Sequence, residues 1–178
     1  MPRIPYPEEL PDIISRLPIP LNVFKMLSHA PDLVAPAADL GMALLTTSDL
    51  PPSTREMVIM AVAADAECSY IAIQHTPIAR DSGVTPEQLD AISVRSHRGS
   101  EHFDDTETAA LDVAHNLLLS RTIAPDVFRA ALSHYPERQI TELIVLVGYY
   151  SMIAGLLNGV DIDIDPWQER STLSGPGT

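Results

Sequence analysis

Proline placement limits this chain more than any other feature. Ten of its 16 prolines lie in the first 52 residues, at positions 2, 5, 7, 11, 18, 20, 31, 36, 51 and 52. Each prolyl ring fixes φ and removes a backbone donor, so such a segment supplies neither a sheet ladder nor long unbroken helices. Residues 1–47 therefore read as an extended arm with short helices, wrapped on the rest of the protein or on a neighbouring subunit. Beyond it, the prolines mark helix starts. Leu50-Pro51-Pro52 introduces a helix from about Ser53 to Ala66. Thr85-Pro86-Glu87-Gln88 reads as an N-cap, an N1 proline and a capping-box glutamine. Ala124-Pro125-Asp126 starts a helix ending near His134, and Tyr135-Pro136-Glu137 starts one running to about Leu157. Asp104 or Asp105 caps another through Leu119, and Gly83 is a C′ stop. Runs of alternating polarity are missing. The reading is all-α, with a helical domain over 48–165 and a flexible tail over 166–178.

Charge narrows the partners. The 178 residues carry 24 acids against 11 bases, a net charge of −13, and Lys25 is the sole lysine. No basic footprint for nucleic acid exists, and anionic membrane surfaces are equally poor partners. Cys68 is the one cysteine, which excludes an intrachain disulfide and a Cys-type zinc site. The uncharged run from Leu143 to Val160 includes Gly148, Ser151, Gly155 and Asn158, and it ends at the acids Asp161, Asp163 and Asp165. It reads as a buried central or interface helix rather than a membrane span. The N-terminus has no apolar signal-type region, so a cytoplasmic location is expected. Neither a P-loop nor a dinucleotide fingerprint occurs. His97 and His102 sit in a polar stretch that reads as an exposed loop without a third ligand. No metal and no cofactor is expected.

The segment Arg55 to Val84 holds the residues with chemical potential. Cys68 falls in the first turn of a helix expected to begin near Asp65–Glu67, where backbone N–H groups favour a thiolate and the neighbouring acids oppose it. Seven residues on, His75 returns to nearly the same helical face, making a stripe of Cys68, Ile71, Ala72 and His75. At 1.5 Å per residue the thiol and imidazole lie about 10 Å apart, too far for contact. Pro77 removes a helical donor beside His75 and favours a small polar pocket or simply shapes the packing. Glu56 is an acid within an apolar run. It lies either on a wet helix edge or buried with a partner, for which His75 is well suited. The plain alternatives are an inert buried cysteine, a scaffold histidine and a surface acid.

The pattern Leu50-Pro51-Pro52, Arg55-Glu56, Val58-Ile59, Cys68-x-Tyr70, Gln74-His75, Ile78-Ala79-Arg80 and Gly83 resembles the carboxymuconolactone decarboxylase family, which includes alkylhydroperoxidase D. The segment from Glu142-Leu143 through Gly148-Tyr149-Tyr150 to Asn158 is similar to the C-terminal part of its longer members. The resemblance implies an all-helical fold and assembly into trimers, hexamers or dimers. In the peroxidase branch Glu56, Cys68 and His75 match the motif positions, but Ile71 occupies the place of the second cysteine. The decarboxylase branch needs no thiol.

Three functions follow as expectations. The first is a cofactor-free enzyme moving protons on a small organic substrate, of decarboxylase, lyase or isomerase type. His75 would be the acid–base, Glu56 its orienting partner, Cys68 a pocket residue, and Tyr70, Ile71 and Arg80 substrate contacts. The second is a single-cysteine thiol peroxidase using Cys68, and the third a non-catalytic oligomeric binding module. Two strongly apolar helices in one domain of this size also predict a homo-oligomer, with the arm crossing to a neighbour.

Overall fold

The computed structural model describes residues 1–17 and 19–165. Among these, nine helices and no strand occur: α1 (Ile13–Arg16), α2 (Asn22–Leu27), α3 (Pro31–Thr46), α4 (Pro52–Asp65), α5 (Ser69–Asp81), α6 (Pro86–Ser93), α7 (Asp105–Ser120), α8 (Pro125–Leu132) and α9 (Glu137–Val160). The expected tail over 166–178 lies outside the described residues.

Local chemistry sets the helix ends. Thr85 Oγ1 accepts from the Gln88 N–H at 3.2 Å while Gln88 Oε1 accepts from the Thr85 N–H at 3.0 Å, closing the expected capping box. Asp104 and Glu107 form a second box before α7. Gly83, at φ 96°, ends α5 in a Schellman turn, with the Val84 N–H reaching the Ala79 carbonyl at 2.9 Å.

α4 is the central helix and packs on α5, α6, α7 and α9. Its Met57, Val58, Ile59, Val62 and Ala63 are all buried, which its near-continuous apolar sequence requires. α9 is long and apolar enough to cross a membrane by length and composition, and it serves here as a core helix. Leu143, Leu146, Val147, Ile153 and Leu157 are buried. Among the described residues the opposite face stays open: Ile144, Val145 and Met152 are exposed, and none of those residues approaches Gly148 or Gly155.

One expectation about the first fifty residues needs correction. The segment is not limited to short helices, because α3 runs for 16 residues. Pro31 at its start costs nothing, and Pro36 inside it forgoes only one backbone bond. Within the chain the arm also lies on its own core. α2 and α3 pack against α9, and the Arg3 N–H donates to the Val160 carbonyl at 2.7 Å.

Candidate active site

Between the arm and the core lies a cavity of about 370 Å³, within the usual range for small-molecule sites. α5 supplies Tyr70, Ile71, Gln74, His75 and Ile78; α9 supplies Tyr149, Tyr150 and Ile153; α2 and α3 close the other side. Positions 71, 75 and 78 follow the i, i+4, i+7 spacing that places them on one helical face.

The expected pairing of Glu56 and His75 is present. The Glu56 side chain is fully buried on α4, and its Oε2 lies 2.8 Å from His75 Nδ1. A carboxylate there accepts the Nδ1–H, which fixes the tautomer and leaves Nε2 for the cavity. Glu56 Oε1 lies 3.4 Å from the Nε of Arg55, a residue the sequence reading passed over as a site member. The imidazole also meets the Tyr150 ring edge-on at 5.1 Å. Burial, and next the Glu56 charge, hold the Tyr150 hydroxyl well above the usual tyrosine range, so it stays a neutral donor.

Cys68 departs from expectation. It is the N-cap of α5, not a member of its first turn, and its backbone is extended at φ −94°, ψ 91°. Glu67, in the left-handed region at φ 49°, ends α4 in a Schellman turn, with the Cys68 N–H on the Ala63 carbonyl at 2.9 Å. The 100° arithmetic that put Cys68 on the His75 stripe therefore does not reach it. The thiol is 1% exposed in the core and absent from the cavity wall. Burial pushes its pKa up, outweighing the Ile71 and Tyr70 backbone N–H groups that lower it.

Arg80 also falls elsewhere: it is exposed and does not line the cavity. Five residues rotate a helix by about 140°, which carries Arg80 away from the His75 face. The cation on the wall is Lys25 of α2. Tyr70 and Ile71 do line the cavity.

Asp165 is a further wall residue with no recognisable sequence signal, since it closes an acidic run that resembles a solvated edge. Its carboxylate accepts the Asn22 N–H at 2.9 Å and the Tyr70 hydroxyl. Burial, then this bond, raise the Tyr70 pKa. The cluster expected as an exposed loop is partly buried too: His97 is 6% exposed and its Nε2 lies 3.0 Å from Asp112 Oδ1. His102 is exposed as expected.

Gly41 of α3 shapes the wall. A Cβ there would lie 2.3 Å from the Tyr149 hydroxyl oxygen, which donates to the Ala37 carbonyl at 3.0 Å. Gly41→Ala is expected to cost about 1–3 kcal/mol by overpacking, set against a helix-propensity gain of at most about 1 kcal/mol. Thermal unfolding checks it; a net rise in stability would show that Tyr149 swings aside freely.

Known proteins match this chain in sequence and in fold. The family model of the carboxymuconolactone decarboxylase family matches residues 31–116. An uncharacterized protein, YdfG, from Bacillus subtilis (strain 168) is 22% identical over 102 residues, covering 56% of this chain and 68% of its own. Among solved structures, an alkylhydroperoxidase AhpD core, an uncharacterized peroxidase-related protein from Ralstonia eutropha JMP134, superposes with a TM-score of 0.77 at 22% identity, covering 92% of each chain. A peroxidase-related protein from Silicibacter sp. TM1040 gives 0.76 at 18% identity, again covering 92% of each. The debrominase Bmp8 gives 0.71 at 18% identity, covering 85% of this chain and 81% of its own. These similarities include enzymes and share the all-helical architecture described above. The chain is thus similar in sequence, over residues 31–116, to the carboxymuconolactone decarboxylase family, and in fold to alkylhydroperoxidase AhpD-like proteins.

Proposed function

We propose that this protein is a small-molecule enzyme of proton-transfer type, using His75 as its acid–base. The observation that carries the reading is the buried Glu56 carboxylate on His75 Nδ1, with the ring at the wall of a largely apolar cavity. Nε2 would take a proton from an activated carbon and return it elsewhere on the substrate, or protonate the carbanion left as a carboxylate departs as carbon dioxide. An imidazole titrates near neutrality and suits both directions. Glu56 orients the ring and offsets the charge that develops on it.

The competing chemistry is peroxide reduction at Cys68, and its burial outside the cavity wall speaks against it. The test is a panel of activated carboxylates and unsaturated lactones beside organic hydroperoxides, run on the wild type and Cys68→Ala. Turnover of a carbon acid that survives Cys68→Ala is expected. Hydroperoxide consumption lost in that variant would overturn the proposal. The native thiol should also react slowly with an alkylating probe at pH 8.5 and quickly once unfolded, because its raised pKa leaves little thiolate there.

The assembly is a proposal as well. The open face of α9, with Val145, Gly148, Met152 and Gly155, leaves apolar surface that a second copy would cover. Light scattering should give a mass at least twice the 19.4 kDa of one chain. A monomer at micromolar concentration would refute it.

A further inference from the structure

We propose that Lys25 anchors the anionic head of an otherwise apolar substrate, so that the cavity selects organic acids over their neutral counterparts. This rests on reading the cavity as the substrate site, but not on His75 as the acid–base.

Lys25 is the sole lysine among 178 residues in a chain of net charge −13. It stands, half-buried, on the wall of the 370 Å³ cavity. Most of the wall is hydrocarbon, with Leu21, Phe24, Ile71, Ile78 and Ile153 among its residues. Among the described residues the ammonium is engaged only by the neutral Asn22 Oδ1, at 3.1 Å, which leaves donors for a ligand. Asp165, the acid on the same wall, is already held by the Asn22 N–H and the Tyr70 hydroxyl and makes no ion pair with Lys25. Arg55 pairs with Glu56 and does not line the cavity. A carboxylate therefore finds one charged donor set in apolar surroundings, where charge-assisted bonds are strongest. The same ammonium also opposes the long-range repulsion that an acidic protein exerts on an anion.

The test is calorimetric binding of 4-phenylbutanoate and 4-phenylbutanamide at pH 8. The acid should bind the wild type about tenfold or more tightly than the amide. Lys25→Met should abolish that preference while leaving amide affinity unchanged, Lys25→Arg should keep it, and His75→Gln should keep it. If Lys25→Met does not fold, Lys25→Gln reads the same contrast. Equal affinities in the wild type, no binding of either probe, or a preference that survives loss of the charge would each overturn the proposal. So would its loss in His75→Gln, which would make the imidazole the anion's partner. An acid preference dependent on Lys25, together with full turnover in His75→Gln, would retain Lys25 and discard the proposed acid–base.

Discussion

Turnover in His75→Gln is expected to fall by about 10²–10⁴-fold, the usual contribution of a positioned acid–base. Glutamine keeps similar bulk and can still face Glu56 with an amide. It cannot cycle a proton near neutral pH, so the loss should appear in kcat with little change in KM. The imidazole is largely buried, with its side chain 12% exposed and the Tyr150 ring against it. The thermal midpoint of the variant reports whether that packing survives, and kcat on the best substrate of the panel measures the chemistry. Activity within a few-fold of wild type would remove His75 from the mechanism.

Glu56→Ala is expected to lower both stability and activity. Its carboxylate has no solvent exposure and binds His75 at 2.8 Å, with Arg55 Nε at 3.4 Å. Removing it leaves a largely buried guanidinium without its charge partner, an imidazole without its holder, and a void beside α4. Breaking a buried pair of this kind costs about 3–5 kcal/mol. The lower end is expected, because Arg55 is 12% exposed and gains some water. Glu56→Gln keeps the volume and one acceptor but loses the charge, so it should fall between. Denaturant unfolding measures the cost. A change below about 1 kcal/mol in Glu56→Ala would show that the carboxylate contributes nothing net to the fold. Stability recovered in Glu56→Gln without recovery of kcat would separate its structural role from its orienting one.

The helical class was legible because the signals are local. Thr85 and Gln88 meet across three residues, Gly83 takes a left-handed φ that costs glycine little, and no segment alternates in polarity. The pairing of Glu56 with His75 was also open to inference, since an acid inside an apolar helix needs a partner once buried. The resemblance to a known family sharpened the choice of residues, and the second-cysteine position at Ile71 could be read directly.

Other features depended on contacts between distant parts of the chain. Cys68 left the active face because a turn at Glu67 moved the helix start by a few residues, and residues outside a helix do not share its periodicity. Arg80 gave way to Lys25, 50 residues before His75, because α2 packs on α9 beside α5. Asp165 entered the wall by bonding to Asn22 and Tyr70, residues separated from it by 143 and 95 positions. Sequence alone determined the helices beyond residue 50 and offered the acid–histidine pair as one of two readings of Glu56, because each follows from spacing within one or two elements; the missing second thiol followed from the resemblance. Only the tertiary structure decided which cation and which acid face the cavity, because that depends on how the arm and the end of α9 close over α5, and nothing in local spacing encodes it.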